Sequence, residues 1–170
     1  MTLSTGLLYV TDSAFWITEP TSEVVQGAGA GGNGLIWVGH GSATIATGVN
    51  YGPVRVTVDA RSQEPSLDLE DWEEVVEVSI HFETDEADLE SMGGAIEEEP
   101  QEMPLSAAGP GWYRLRVHAR GRDEGAEAID IDIDADPVEE YLIQSWPTPQ
   151  APEIRHKTTD THGAEVRART

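Results

Sequence analysis

The sequence predicts an all-β protein, a single-domain antiparallel β-sandwich of about six to eight strands with long loops. Three observations carry that expectation. Apolar and polar residues alternate with period two in 53–61, 76–82 and 111–122. Glycine- and proline-bearing stretches separate these runs. Almost nowhere do apolar residues recur at helical spacing.

In order along the chain, 7–10 and 14–17 are short runs of β-formers, read as a first strand or hairpin. The stretch 27–34, GAGAGGNG, is too rich in glycine for regular structure. Two buried-looking strands follow at 35–38 and 43–47. In 53–61, Val54, Val56, Val58 and Ala60 face one way. The segment 66–74 is ambiguous, since Leu69, Trp72 and Val75 or Val76 would share one helical face. From 76 to 82 the period is two, with Val76, Val78, Ile80 and Phe82 inward. Residues 84–110 form a long acidic excursion.

The run 111–122, GWYRLRVHARGR, organises the whole chain. Tyr113, Leu115, Val117 and Ala119 point inward, and Arg114, Arg116, His118 and Arg120 point out. Four of the 10 Lys and Arg residues sit here. Beyond it, 123–128 reads as a loop, 129–133 as a short strand and 141–146 as the last strong strand. Residues 1–150 are the sandwich domain, and 151–170 read as a poorly ordered C-terminal tail because the apolar pattern stops.

Composition narrows the function. The 170 residues carry 32 acids against 10 bases, a formal net charge of −22. Such a surface repels nucleic acid and anionic membrane and favours cationic partners. The acids form a belt: 64–102 holds 16 of them and no Lys or Arg. No cysteine is present, which excludes disulfides and thiolate metal sites. The opening residues lack a basic stretch and no apolar run approaches membrane length, so a cytoplasmic protein is expected.

The chemical motifs are weak. Gly27, Gly29 and Gly32 match a dinucleotide fingerprint in spacing, but a strand-like segment follows where a helix is required. Asp130, Asp132, Asp134 and Asp136 alternate with isoleucines. On a strand their carboxylates would line one face about 7 Å apart, a row that favours a cation such as calcium. The calcium-loop pattern nevertheless fails, with Ala135 and Tyr141 where Gly and Glu belong, and a solvated strand edge is the plainer reading. His81 and His118 could meet across paired strands, yet a zinc site would need a third ligand such as Glu77 or Glu83. Ser42 beside His40 lacks a nucleophile-elbow motif. No enzyme and no cofactor is expected. The Arg114, Arg116, His118, Arg120 face has two readings: pairing with acids such as Glu77 and Glu83 on neighbouring strands, or an anion- or partner-binding surface.

The blocks DWEEVVEVS (71–79), AGPGWYRLRVHARGRD (108–123) and EEYLIQSWPTPQAPE (139–153) resemble an uncharacterised family of high-GC actinobacteria. That family brings no activity with it. The layout is also similar to that of the competence protein J family, β-sandwich inhibitors of a DNA-entry nuclease. The shared traits are size, an N-terminal strand pair, a glycine-containing loop, and a late G-x-Y-x-L strand before a Y-x-I strand. The resemblance implies an acidic protein that binds a partner.

The expected function is therefore a non-enzymatic acidic binding protein, an inhibitor or immunity protein for a basic protein such as a nuclease toxin. The expected contacts are Asp71, Trp72 and Glu73 in the belt and Glu97, Glu98, Glu99 and Glu102 in the acidic loop, with Trp72 as aromatic anchor. The rival is a structural or ligand-binding β-sandwich, calcium-dependent through Asp130–Asp136.

Overall fold

The alternating runs pair into two sheets. The structure is a computed structural model, and it describes residues 2–20, 22–23, 31–92 and 104–169. A six-stranded sheet has the order β1 (Thr2–Val10), β5 (Gly52–Ala60), β9 (Glu140–Pro147), β8 (Gly111–Arg120), β6 (Glu74–Phe82), β10 (Ile154–Thr158). A four-stranded sheet has the order β3 (Ile36–Val38), β4 (Ser42–Ala46), β2 (Ala14–Thr18), β7 (Asp88–Glu90). All pairings are antiparallel except β5 with β9. Between the sheets Phe15, Ile17 and Ile45 meet Val56, Val76, Val117 and Ile143 in one core. Phe15 packs edge-on against Tyr141, with ring centroids 5.2 Å apart. Val117 stands opposite Val76 on one side and Ile143 on the other. The inward face read from the alternation is the one that packs into the core between the sheets.

Several sequence expectations change. The first two strands form no shared sheet: a turn with positive φ at Asp12 and Ser13 sends β1 into one sheet and β2 into the other. The segment 66–74 forms no helix: it is a connection with one turn at 70–71 before β6. The expected loop at 123–128 is helix α1 (Arg122–Ala128), entered through Gly121 at φ 83, where an added Cβ would strike the Val138 carbonyl. The expected tail forms β10 and helix α2 (Thr161–Ala168), while Gly27 and Gly29 lie outside the described residues.

Strand order dictates the two long connections. β5 and β6 are separated by β9 and β8, so residues 61–73 must cross both strands. β9 and β10 are separated by β8 and β6, so 148–153 must cross these. The core side is filled, and both segments cross the outer face.

At the opposite end of β8 from these crossings' start, Arg122 is wholly enclosed. Its Nε and Nη2 donate to the Asp160 carboxylate at 2.7 and 3.0 Å, and Nη1 donates to the Gly34 and Ala46 carbonyls. One guanidinium thus joins the six-stranded sheet, the ends of β3 and β4, and α2. Asp160 also caps α2, accepting from the Gly163 amide. Asp160→Ala is expected to cost about 3–5 kcal/mol, since it leaves an enclosed cation unpaired. Urea unfolding measures it; a loss below about 1 kcal/mol would mean α2 is a peripheral attachment.

Candidate partner-binding surface

Along β8 the outward side chains meet the outward side chains of its neighbours. Register places Arg116 between Glu77 of β6 and Gln144 of β9, and Arg114 between Ser79 and Trp146. Arg114 Nε donates to Glu77 Oε2 at 2.7 Å and Arg116 Nε to Glu77 Oε1 at 2.9 Å. His156 of β10 reaches Glu77 Oε1 at 3.1 Å. Burial works to raise the Glu77 pKa, but hydrogen bonds from Arg114, Arg116 and His156 outweigh it and hold the carboxyl below its usual range.

The remaining guanidinium donors hold the crossing segments. Arg114 donates to the Ala151 and Pro152 carbonyls, and Arg116 to the Pro65 carbonyl and the Glu64 carboxylate. Neither segment has a strand partner, so its carbonyls need donors from elsewhere. Arginine, with five N–H groups in a rigid fork, supplies several at once. Trp72 closes the row. Its ring lies 4.8 Å from the Arg120 guanidinium carbon and 5.3 Å from the His118 ring. Arg120 pairs with Glu140 at 2.8 Å.

Arg114, Arg116 and His118 are therefore turned to the crossing segments and strand backbone rather than to a partner, while the Arg120 side chain is 41% exposed. Arg114, Arg116 and His118 are each no more than 2% exposed. Pairing with Glu77 is as expected, whereas Glu83 instead meets His40. His118 lies opposite Val75 and His81 opposite Trp112, so the two histidines do not meet. His118 Nδ1 is 2.9 Å from the Leu142 carbonyl, and burial pulls its pKa down to about 4.

What reaches solvent is the belt. Glu64, Asp68, Glu70 and Asp71 are exposed on the 61–73 segment, with Leu67 exposed among them. Of the expected contacts, Asp71 is exposed, while Trp72 is half-buried and Glu73 is engaged in accepting from the Gly121 amide. Glu97, Glu98, Glu99 and Glu102 lie outside the described residues. Asp130, Asp132, Asp134 and Asp136 form no strand face: a single bridge joins Asp130 to Tyr51, and the rest is a loop in which Asp132 accepts from the Asp134 amide. Among the described residues no group of three His, Asp or Glu side chains could hold a metal ion.

Glu139 and Glu74 are among the buried acids that the sequence did not single out. Glu139 accepts from the Gly48 and Val49 amides and the Tyr141 hydroxyl, with Gly125 leaving room for it. Burial raises its pKa. Glu74 accepts from the Asp160 amide and lies 3.5 Å from Arg167. Burial, and next the Asp160 carboxylate, push its pKa up to about 8. The only sequence signal for either was an acid at a strand's first residue or just before it. A cavity of about 330 Å³ brings Asp12, Ser13, Trp37, Thr44, His162 and Arg169 together. The Ser13 hydroxyl there donates to Asn50, so it is committed to the turn rather than to a base.

No family model and no curated protein matches the chain. Solved structures do. Crocagin biosynthetic gene J matches with a TM-score of 0.52 at 16% identity, over 88% of this chain and 100% of its own. ComJ from Bacillus subtilis, inhibitor of the DNA degrading activity of NucA, matches with a TM-score of 0.50 at 14% identity, over 87% of this chain and 96% of its own. What is shared is the fold.

Two outcomes follow from the buried charges. Glu77→Gln leaves enclosed Arg114 without a counter-charge and Arg116 with only the exposed Glu64, and is expected to cost about 3–5 kcal/mol in urea unfolding. Glu74 acts through pH. The folded state keeps its proton to about pH 8, whereas the unfolded chain gives it up near 4.5. The stability this adds is complete below 4.5 and is withdrawn as pH rises through 8. Between pH 6.5 and 8.5 the protein should lose about 1–2 kcal/mol, and Glu74→Gln should flatten that fall.

Proposed function

We propose that this chain is a non-enzymatic protein that binds a basic protein partner, and that inhibition of a DNA-degrading nuclease is the activity it serves. One observation carries the reading. The acids of the 61–73 segment are mounted on backbone that buried Arg116, together with Arg120 and Lys157, pins to the sheet, so the charge has a fixed geometry. A solubilising coat needs no such mounting, but an electrostatic docking surface does. A row of fixed carboxylates resembles a nucleic-acid backbone in charge, and a nuclease cleft is built to receive that charge. The fold shared with ComJ, an inhibitor of the DNA degrading activity of NucA, supports the same class of partner.

The test is inhibition. Purified protein in excess over NucA, and over DNA-degrading nucleases from the same cells, is expected to slow plasmid degradation by at least one of them. Failure against all of them removes the inhibitor reading. With a responsive nuclease, changing Asp68→Asn, Glu70→Gln and Asp71→Asn together should slow association about tenfold at low salt, with little effect on dissociation. Stopped-flow mixing at two ionic strengths reads both rates, and thermal melting should be unchanged because all three side chains are exposed.

A further inference from the structure

At the end of the sandwich that carries α1, the segment 129–133 leaves the helix and runs beside Tyr51. The Asn50 amide donates to the Ile129 carbonyl at 2.7 Å, and the Ile131 amide to the Tyr51 carbonyl at 2.8 Å. Ile129 has φ 68 and ψ −66, and the Asp130 amide donates back to the Ala128 carbonyl at 2.8 Å. That is a three-residue turn of the strained, positive-φ kind. A β-branched residue is the least suited to it, and glycine would relax it.

Burial does not explain the isoleucine. Ile129 is 59% exposed, Ile133 48% and Tyr51 40%. The other exposed large apolar residues, such as Leu3, Val38 and Ile154, lie on separate elements. Here three lie on one short segment and the turn bonded to it. Carboxylates surround them. The Tyr51 hydroxyl donates to Asp12 at 3.3 Å, and Asp130, Asp132 and Asp134 are interleaved with the isoleucines and exposed.

We propose that Tyr51, Ile129 and Ile133 are the apolar anchor by which the chain holds a basic protein, with Asp12, Asp130, Asp132 and Asp134 as its charged rim. The inference rests on the reading of the chain as a binder of a basic partner and gives that partner's contact a place. The occupant is fixed by charge. A second copy would bring the same carboxylates face to face at a net charge of −22 per chain. A lysine- and arginine-bearing surface with apolar side chains between them satisfies rim and centre together. The belt governs encounter, and the anchor governs residence.

The experiment uses the full ¹⁵N-labelled chain and two synthetic peptides of equal positive charge. One alternates lysine with tryptophan and leucine; the other alternates lysine with glycine and serine. Each is titrated at roughly 25 mM and 300 mM salt, where screening separates charge from apolar contact. The apolar peptide is expected to shift amides of 50–52 and 129–133 at both salts, and the polar peptide to shift acidic segments at low salt alone. Ile129→Gly should weaken the apolar peptide about tenfold, an effect of about 1.4 kcal/mol, while leaving the melting temperature equal or higher. Ile133→Ser should weaken it without touching the turn. Apolar-peptide shifts confined to 68–71, or lost at high salt, overturn the anchor and leave the basic-partner reading standing. Silence from both peptides at low salt overturns both. Concentration-dependent shifts without peptide assign the patch to a second copy and overturn the proposal.

Discussion

One carboxylate holds the outer layer of this protein together. Glu77 accepts from Arg114 and Arg116 with its two oxygens, and those guanidinium groups turn their other donors to the backbone that crosses above. The strand order makes such an arrangement necessary. Two chain segments must traverse the outer face of the larger sheet, and neither can pair as a strand while doing so. Their carbonyls would be buried without donors, at a cost of about 1–3 kcal/mol each. Desolvating charged side chains is itself expensive, and only a nearby counter-charge and a full set of hydrogen bonds make it tolerable. Glu77 supplies the first and the crossing segments supply the second. Electrostatics and topology are one problem here.

This explains what the sequence showed and what it hid. Alternation along 111–120 separates Tyr113, Leu115, Val117 and Ala119 from the arginines, because side chains on a strand must take opposite faces. It does not say what lies over each face. Arg114, Arg116 and His118 look like a solvent face until the order β5-β9-β8-β6 is known. That order depends on a parallel pairing of β5 with β9, residues some 85 apart, which no local pattern encodes. The C-terminal segment misled for a related reason. Its apolar content is slight, with Val166 the apolar residue that α2 buries, and its order comes from Asp160 meeting Arg122. Aspartate ahead of Thr161–Ala168 is a legible helix cap, but an ion pair with a residue 38 positions earlier is not. Likewise 129–133 has the composition of a strand, yet the positive φ of Ile129 turns it out of any sheet.

The surface divides by what lies beneath it. Over the sheet, acids ride on a segment fixed at several points, and their charge is presented as a rigid array. At the α1 end, apolar side chains project from a strained turn that the Asn50 amide holds. In the proposed function the first arrangement serves encounter and the second serves contact, and the fold keeps them on separate supports.

The parallel β5–β9 pair has a kinetic consequence. β5 ends at residue 60 and β9 begins at 140, so the middle of the larger sheet cannot close until most of the chain is present. Until then β5 has only β1 beside it, and one long edge stays unpaired. Pairings this distant in sequence pay their loop-closure entropy before any contact rewards it, so such topologies fold slowly. The 61–73 segment can seat only after β8 and β9 have come together beneath it. During synthesis the emerging N-terminal half is thus an open sheet with a bare flank, and its excess of negative charge, set by 64–102, keeps such chains apart while they wait.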